Sequence, residues 1–259
     1  IKHFKKINSL SINEEQQPRH IKFALRNYQK LGLAWLLALK EAKLNGCLAD
    51  DMGLGKTLQV IALLVKLKQK ANSSGQQGSK HMSQSIQLSL FDQPGNSSLD
   101  ENLSDGDHRP SLIVVPKSLV FNWHNEITKF TEHLQVIKYE GVGRKFDETE
   151  INSADVVLTT YGIVRNDIDK LNQIQFNYVI LDESRYIKNP GSLSYKSVIR
   201  LKCNSRLVLT GTPIENSLTD LWTQMNFLNP GLLGSLNFFK DMIARPIEKY
   251  GDDEKRLKL

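Results

Sequence analysis

The stretch of the chain with the clearest chemistry is a glycine-rich turn that ends in Lys-Thr. Residues 48–57 read Leu-Ala-Asp-Asp-Met-Gly-Leu-Gly-Lys-Thr. Glycine lets the backbone approach an anion closely, and a helix that begins after the turn directs its positive end to the same point. Lys56 is placed to reach the outer phosphates of a nucleotide, and the Thr57 hydroxyl is placed to bind Mg²⁺. The predicted phosphate cradle consists of Asp51, Met52, Gly53, Leu54, Gly55, Lys56 and Thr57.

This turn departs from the standard phosphate loop at one position. The pattern G-x-x-x-x-G-K-[ST] requires glycine at position 50, where this chain has Asp50. The turn therefore follows A-x-x-x-G-x-G-K-T, counted from Ala49. The alternative is a glycine-containing surface turn before an ordinary helix. Because an apolar strand-like run precedes the turn and Lys-Thr is in register, the sequence favours nucleotide binding.

A second candidate is a pair of carboxylates at the end of an apolar run. Residues 178–183 read Tyr-Val-Ile-Leu-Asp-Glu. A phosphate-loop NTPase needs an Asp that holds Mg²⁺ and a group that orients the attacking water. Asp182 fits the first role and Glu183 fits the second. Two solvated acids at a strand end are the alternative, which becomes the weaker interpretation once the phosphate loop is considered with it.

Hydroxyl and basic residues follow three further strand-like runs. They are Lys117-Ser118, Thr159-Thr160-Tyr161 and Thr210-Gly211-Thr212. In open parallel sheets, ligands bind beyond the carboxyl ends of the strands, and Lys, Ser and Thr are residue types that contact phosphates. The pattern predicts that these residues line one edge of a sheet. The third turn is interpreted as a link between the nucleotide site and a bound polymer, with a purely structural Gly-Pro turn as the alternative.

The composition is that of a globular protein with a basic balance. The chain has 259 residues, of which 40% are hydrophobic and 24% charged, enough for one large α/β domain with an appendage. The net charge of +6 suggests a polyanionic partner, although solubility explains it equally well. Cys47 and Cys203 lack metal-ligand spacing and are predicted to be reduced core residues in a reducing compartment. The longest apolar run has nine residues, too few to cross a membrane.

The order of the predicted elements indicates an α/β fold with a parallel sheet. A helix is predicted at residues 25–43, followed by a strand, the phosphate loop and a helix to about Lys70. Further strands are predicted at residues 112–115, 136–139, 155–159, 178–182 and 207–210. Most of these runs are apolar throughout, which is typical of strands covered by helices on both faces. From residue 218 onward the pattern is helical.

Residues 71–109 differ from the rest of the chain. Gly, Ser, Gln and Asn occupy 21 of these 39 positions, which predicts a flexible polar insert. Within it, residues 87–91 read Gln-Leu-Ser-Leu-Phe and are similar to the short peptide by which bacterial proteins dock on the polymerase sliding clamp. In that interpretation Leu90 and Phe91 enter an apolar groove while Gln87 forms hydrogen bonds. A chance apolar patch in a polar linker is the alternative.

Seven stretches outside the insert occur in an order that is specific to one family. They are Leu25-Arg26-x-Tyr28-Gln29-x-x-Gly32-x-x-Trp35-Leu36, residues 50–57, Pro116-x-Ser118-Leu119-x-x-x-Trp123-x-x-Glu126-x-x-Lys129-Phe130, Thr159-Thr160-Tyr161, Asp182-Glu183-x-x-Tyr186-Ile187-Lys188-Asn189-Pro190, residues 210–216, and Leu221-Trp222 running to residues 227–231. Together they resemble the SNF-type ATPases of helicase superfamily two, which translocate on double-stranded DNA. The matched stretches cover most of the chain outside the insert.

The resemblance implies a domain organisation and two cofactors. Residues 25–217 would form a RecA-like lobe, a parallel sheet covered by helices on both faces, that binds ATP and Mg²⁺. Residues 1–24 would be an N-terminal flank, and residues 218–259 a helical protrusion. The partners implied are double-stranded DNA and the family's second RecA-like lobe, which would lie beyond this chain.

The resemblance also implies a role for individual residues. Gln29 would read adenine with support from Arg26, and Asp182 and Thr57 would bind Mg²⁺ while Glu183 activates water. Contacts to the DNA backbone would come from Lys117, Ser118, Thr159, Thr160 and Tyr161. Coupling between nucleotide and DNA would involve Arg185, Thr210, Gly211 and Thr212.

Two departures from the family bear on activity. The family's acidic box reads Asp-Glu-Ala-Gln or Asp-Glu-x-His, whereas this chain has Asp-Glu-Ser-Arg at residues 182–185. Because the fourth position couples nucleotide state to the second lobe, Arg185 is predicted to alter that coupling. The second lobe also supplies arginine fingers, each worth about 10³–10⁵-fold in rate. The chain alone is therefore predicted to bind ATP weakly and to hydrolyse it very slowly.

Three classes of function fit these observations to different extents. The first is the ATP-binding lobe of a DNA translocase or remodelling enzyme, and the second is a non-hydrolysing ATP- and DNA-binding module with a degenerate acidic box. The third, a phosphate-loop kinase for a small metabolite, leaves the turns at residues 159–161 and 210–213 unexplained. The sequence after the acidic box, Tyr-Ile-Lys-Asn-Pro, is more similar to bacterial members. It predicts a cytoplasmic, nucleoid-associated protein with no membrane partner.

Overall fold

A computed structural model of the chain describes residues 17–81, 108–213 and 217–250. Within these residues the strands are β1 (Gly46–Leu48), β2 (Ser111–Val115), β3 (Val136–Lys138), β4 (Val156–Thr160), β5 (Gln175–Asp182) and β6 (Lys202–Leu209). The α-helices are α1 (Asn27–Glu41), α2 (Lys56–His81), α3 (Val120–Phe130), α4 (Glu148–Ser153), α5 (Tyr161–Leu171), α6 (Leu193–Val198), α7 (Leu218–Leu228), α8 (Leu236–Phe239) and α9 (Arg245–Tyr250). Short 3₁₀ turns lie at Lys117–Leu119 and Ser184–Ile187, and a π-helical turn lies at Lys240–Ala244.

The strands form one sheet in the order β1-β6-β5-β2-β4-β3, and every neighbouring pair is parallel. Ile113 in β2, for example, lies opposite Ile180 in β5 and Leu158 in β4. The carboxyl ends of all these strands therefore lie on the same edge of the sheet, here called the carboxyl edge. The predicted parallel α/β fold is confirmed.

Both faces of the sheet are buried under helices. Ile113 and Val115 face one side and pack with α1, α2 and α3. Leu112 and Val114 face the other side and pack with α5, α6 and α7. Successive side chains of a strand point to opposite faces, so an apolar run without alternation buries residues on both sides. This explains why the strands were recognisable as continuous apolar runs.

The flexible insert was predicted to begin at residue 71, but a helix extends beyond that residue. Helix α2 continues to His81, so the prediction of an unfolded segment is wrong for residues 71–81. Val60 and Ile61 in the first turns of α2 are fully buried. A helix that tertiary packing has already nucleated extends at little cost through residues of modest propensity, which composition alone does not reveal. The clamp-like segment at residues 87–91 lies outside the described residues.

Residues on both sides of the two predicted domain boundaries, at residues 24–25 and 217–218, pack into the core of the lobe. Ile21 and Leu25, on either side of the predicted boundary of the N-terminal flank, are buried in the same core cluster as α1, α2 and α3. At the other end, Phe227 and Leu228 of α7 are completely buried in the core on the opposite face of the sheet. The described part of the flank and the first helix of the predicted protrusion therefore belong to the lobe.

The two cysteines are free thiols, as the sequence predicted. Burial raises the pKa of the Cys47 thiol to about 11. Its thiolate is therefore scarce at neutral pH, which makes the thiol a poor nucleophile. In the described part of the chain, none of the helices combines the length and the apolar character needed to cross a bilayer.

Candidate active site

The carboxyl edge brings the predicted chemical groups together. The phosphate loop follows β1, and the pair Asp182 and Glu183 stands at the end of β5. Lys117 follows β2, Thr160 ends β4, and Thr210 follows β6. This convergence is a consequence of parallel strands, in which every strand delivers its next residues to the same edge.

The phosphate loop has the backbone conformation of an anion cradle. Gly53 and Gly55 have φ values of +83° and +78°, in the left-handed region that glycine adopts without strain. Lys56 is the first residue of α2, and its Nζ donates to the carbonyl oxygens of Asp50 (2.6 Å) and Asp51 (3.1 Å). The ammonium group therefore lies over the backbone of the turn, close to where phosphates would bind.

We expect the two loop glycines to respond differently to alanine. A Cβ at Gly55 would lie 2.6 Å from Nε2 of Gln29, whereas a Cβ at Gly53 would meet no atom within 4 Å. Gly53→Ala should cost about 1–2 kcal/mol for the left-handed backbone. Gly55→Ala should cost roughly 1–3 kcal/mol more because it overpacks the site. Thermal unfolding of both variants tests this, and equal destabilisation would contradict it.

Asp50, the departure from the standard loop, is held by the helix that follows. Its Oδ2 accepts a hydrogen bond from Nε2 of Gln59, at 2.8 Å. Gln59 is fully buried in α2. The carboxylate therefore connects the start of the loop to α2, which accounts for an acid in place of the usual glycine.

Helix α1 contacts the phosphate loop through its first turn. Gln29 is buried, its Oε1 accepts from the backbone N–H of exposed Arg26 (3.0 Å), and its Nε2 donates to the carbonyl of Leu54 (3.2 Å). The Tyr28 hydroxyl donates to the same carbonyl at 3.1 Å. Gln29 thus supports the loop from within the protein, a role that the sequence did not indicate. Its predicted contact with adenine stays a prediction, as does the supporting role of Arg26.

The acidic pair has a constrained geometry. Oδ1 of Asp182 accepts from the backbone N–H of Glu183 (2.9 Å), and Oδ2 accepts from Nε1 of Trp123 (2.7 Å). Burial raises the pKa of the Asp182 carboxyl, and both hydrogen bonds oppose that shift. Glu183 has φ +53° and ψ +64°, a left-handed conformation that costs a residue other than glycine about 1–3 kcal/mol. Backbone strain of this kind is concentrated at functional sites.

A third acid, Glu126, lies beside the predicted Mg²⁺ ligands. It is on α3, and its carboxylate lies beside the hydroxyl of Thr57. Burial raises the pKa of the Glu126 carboxyl, Thr57 and Lys129 lower it, and the charge of Asp182 raises it. Trp123 and Glu126 belong to one of the sequence stretches that resemble the family, but the sequence indicated no role for either of them.

Arg185 lies at the surface beside the second acid of the pair. Its Nε is 3.9 Å from Oε2 of Glu183, and its side chain is 61% exposed. The guanidinium also lies over the ring of Tyr186, 5.6 Å from the centroid. An exposed ion pair at this separation contributes little to stability. The predicted effect of Arg185 on coupling stays a prediction.

The predicted DNA contacts divide into exposed and buried residues. Lys117 and Ser118 are exposed in the 3₁₀ turn that follows β2. Thr159 is fully buried, and its hydroxyl donates to the carbonyl of Tyr139 at 2.8 Å. Thr160 is 8% exposed and caps the start of α5. The hydroxyl of Thr159 is thus directed into the protein, and its predicted contact with DNA stays a prediction.

Tyr161 is also buried. Its hydroxyl donates to the backbone carbonyl of Asp182 at 2.7 Å, and its ring stacks on that of Tyr186 with centroids 4.9 Å apart. Burial raises the pKa of the Tyr161 phenol well above its usual range, so the hydroxyl remains a donor. Tyr161 supports the backbone of the acidic pair, and its predicted contact with DNA stays a prediction. A pattern of consecutive residues could not show this because the two groups meet only in the folded sheet.

The turn after β6 touches both nucleotide motifs. Thr210 is buried, and its Oγ1 accepts from the backbone N–H of Thr212 at 3.1 Å. A Cβ at Gly211 would lie 3.4 Å from Cγ of Met52 in the phosphate loop. Lys188, in the segment after the acidic pair, donates to the carbonyl of Thr212 at 3.4 Å. The position suits the predicted coupling role of this turn, which itself stays a prediction.

A buried polar chain also joins this turn to the acidic box. Ser184 donates to Oε1 of Gln224 at 2.9 Å, and Nε2 of Gln224 donates to the carbonyl of Pro213. Ser184 and Gln224 are both buried. Helix α7, which carries Gln224, therefore bridges the segments that follow β5 and β6.

The residues at the carboxyl edge fit a nucleoside triphosphate with Mg²⁺. The loop places backbone N–H groups and the Lys56 ammonium at the start of α2, where a helix terminus favours phosphate. Thr57 and Asp182 offer a hydroxyl and a carboxylate, the oxygen ligands that Mg²⁺ prefers in addition to phosphate oxygens. The two residues are neighbours in space, since Glu126 interacts with both of them.

The fold and the site together define a RecA-like lobe of the phosphate-loop class. A family model for the SNF2-related domain matches residues 28–259. The chain belongs to this family, the SWI2/SNF2 ATPases of helicase superfamily two. The resemblance noted in the sequence is thereby confirmed.

Relatives are found in eukaryotes, bacteria and archaea. The chain is 36% identical to the TATA-binding protein-associated factor MOT1 of Saccharomyces cerevisiae over 232 residues, which cover 89% of this chain and 11% of MOT1. It is 37% identical to the putative ATP-dependent helicase/translocase YwqA of Bacillus subtilis over 251 residues, covering 94% of this chain and 23% of YwqA. The chain thus spans between a tenth and a quarter of these relatives, which do not distinguish a bacterial from a eukaryotic origin.

A solved structure shares the fold. The Sulfolobus solfataricus SWI2/SNF2 ATPase core in complex with double-stranded DNA is 35% identical, with a TM-score of 0.73. The match covers 93% of this chain and 43% of that core. Because the identity is substantial and nearly the whole chain is superimposed, this match also supports the RecA-like assignment.

Proposed function

We propose that this chain is the ATP-binding lobe of a translocase or remodelling ATPase that acts on double-stranded DNA. The observation that carries the proposal is the carboxyl edge, where a phosphate cradle, an acidic pair and an exposed basic turn follow β1, β5 and β2. Membership of the SNF2 family supports ATP hydrolysis in general. The proposal adds the roles of individual residues and the nature of the polymer.

In this proposal each residue of the site has a separate role. Lys56 binds the outer phosphates, and Thr57 and Asp182 hold Mg²⁺. When bound, Mg²⁺ neutralises charge on the phosphates. Glu183 orients and deprotonates the attacking water, and the hydrogen bonds from Tyr161 and Trp123 keep the neighbouring Asp182 in place.

Duplex DNA is the polymer that the available observations favour. A similar ATPase core was solved in complex with double-stranded DNA. Lys117 and Ser118 lie exposed on the edge that carries the nucleotide site. Contacts of this kind go to phosphates, so we expect binding that tolerates changes of sequence and weakens with salt.

Removing the charge of Lys117 should therefore weaken DNA binding by a similar factor on different sequences. We expect Lys117→Ala to reduce the slope of log affinity against log salt by about one. Lys202→Ala is the matched control, because Lys202 is exposed at the start of β6, on the opposite edge. Fluorescence anisotropy with a labelled duplex at several salt concentrations measures both slopes. An equal change in the two variants would contradict the placement of DNA at the carboxyl edge.

A second RecA-like lobe is part of the proposal. The chain covers 43% of the solved core that it resembles. Arginines from a second lobe would stabilise charge during phosphoryl transfer, so the chain alone should turn over slowly. We also propose, from the sequence, a cytoplasmic, nucleoid-associated location and docking of residues 87–91 on a sliding clamp.

The competing candidate is a module that binds ATP and DNA without hydrolysis. The position of Arg185, 3.9 Å from Glu183, is the observation that favours it. ATP turnover with and without duplex DNA separates the two, measured on this chain alone and joined to a second RecA-like lobe. DNA-stimulated turnover of the two-lobe form supports the motor. Nucleotide binding without turnover in either form supports the module.

A further inference from the structure

Trp123 fixes the orientation of the Asp182 carboxylate. Trp123 is buried on α3, and its Nε1 donates to Oδ2 of Asp182 at 2.7 Å, across 59 residues of sequence. The indole N–H can only donate, so the Asp182 oxygen must be the acceptor in this hydrogen bond. The other carboxylate oxygen accepts from the Glu183 backbone. Each oxygen thus has one hydrogen bond within the protein and retains acceptor capacity for a cation or its water.

Glu126 has the corresponding relation to Thr57. It follows Trp123 by three residues, which places both side chains on one face of α3. A hydroxyl has one proton and two lone pairs. The Thr57 hydroxyl lies beside the Glu126 carboxylate, and when it donates its proton to that carboxylate its oxygen lone pairs are left for a cation.

Helix α3 begins directly after an exposed surface turn. Val120 and Ile127 are buried in the core, so the helix is anchored at both ends. The turn with Lys117 and Ser118 leads directly into Val120. A shift of this exposed turn would therefore be transmitted to both side chains that hold the Mg²⁺ ligands.

We propose that α3 sets the geometry of the Mg²⁺ site, with Trp123 as a positioning residue for Asp182 and Glu126 as a positioning residue for Thr57. The inference rests on the proposed function, because it concerns the same nucleotide site. It gives a role to Trp123, which is buried, and to Glu126, which is only partly exposed. It also means that the basic turn is connected to the nucleotide site through a single helix, α3.

The test is the Mg²⁺ dependence of nucleotide binding. The affinity for a fluorescent ATP analogue is measured in EDTA and during a Mg²⁺ titration for the unaltered chain and for Trp123→Phe, Glu126→Ala and Glu126→Gln. We expect Trp123→Phe and Glu126→Ala to keep the nucleotide affinity measured in EDTA. The Mg²⁺ concentration that gives half of the increase in affinity should rise about tenfold, as it does for other residues that orient metal ligands. Glu126→Gln retains an acceptor for the Thr57 proton and should rescue most of the loss.

Trp222→Phe is the matched control. The Trp222 side chain is also buried, and its Nε1 donates to the carbonyl of Gly234 at 3.1 Å, in the helical region after β6. Its Mg²⁺ dependence should equal that of the unaltered chain, and thermal unfolding reports whether each variant folds. If Trp123→Phe does not fold, Glu126→Ala and Glu126→Gln carry the test.

The outcomes separate the inference from the function on which it rests. An unchanged Mg²⁺ dependence in folded Trp123→Phe and Glu126→Ala would overturn the inference, as would an equal change in Trp222→Phe. If the unaltered chain shows no nucleotide binding that Mg²⁺ strengthens, the proposed function itself fails.

Discussion

Replacing Glu183 with Gln is expected to reduce ATP turnover by about 10²–10⁴-fold, the contribution of a general base, while ATP affinity changes little. The amide keeps the size of the side chain but cannot accept the proton of the attacking water. Glu183 does not bind the phosphates in our proposal, so the ground-state complex should survive. Phosphate release by the two-lobe form in the presence of duplex DNA measures turnover, and titration with a fluorescent ATP analogue measures affinity.

Glu132→Gln is a suitable control for this substitution. Glu132 is highly exposed and pairs with Lys22, in the segment that precedes β3 and therefore away from the carboxyl edge. It should leave turnover unchanged. If Glu183→Gln and the unaltered chain hydrolyse ATP equally, Glu183 is not the base. If neither hydrolyses ATP even when joined to a second RecA-like lobe, but both bind it, the non-hydrolysing module becomes the better description.

Replacing Lys56 with Ala is expected to remove most of the affinity for ATP. A hydrogen bond to a charged group contributes about 1.5–3 kcal/mol, which corresponds to roughly a 10–150-fold loss in binding. In the structure Lys56 contacts only backbone carbonyls of the loop among the hydrogen bonds described, so it is close to the predicted phosphates. The affinity for the fluorescent ATP analogue, measured with Mg²⁺ present, reports the loss.

Lys70→Ala provides the matched control, because Lys70 is on the same helix and pairs with Glu41 at the surface. A pair of this kind contributes little, so ATP affinity should remain. Thermal unfolding of Lys56→Ala shows whether the loop loosens when its carbonyls lose the ammonium group. Equal ATP affinities of the two variants would show that Lys56 does not contribute to ATP binding.

Much of the site could be predicted from consecutive residues. The phosphate loop was recognisable because its glycines, Lys56 and Thr57 are adjacent in sequence and each has a fixed chemical role. Asp182 and Glu183 were recognisable because they end an apolar run. The strands were predicted for the same kind of reason, although the start of β6 at Lys202 was missed because its first residues are partly exposed and polar.

Other residues acquired their role only through the fold. Thr159 and Tyr161 belong to residue types that contact phosphates, yet both hydroxyls are directed into the lobe. The amide of Gln29 supports the phosphate loop, a contact that consecutive residues did not indicate, while its predicted contact with adenine stays a prediction. Helix α2 extends through residues whose composition predicted disorder. In each case the observed contacts or packing depend on partners that are distant in sequence.

The sequence alone determined the class of protein, because the type of each element and the chemistry of each turn are properties of neighbouring residues. The tertiary structure decided which elements support the site. The sheet order places β5 beside β2, so α3, which follows β2, lies against the residue that ends β5. Only this pairing brings Trp123 to Asp182 and Glu126 to Thr57, because a contact between side chains far apart in sequence depends on strand order.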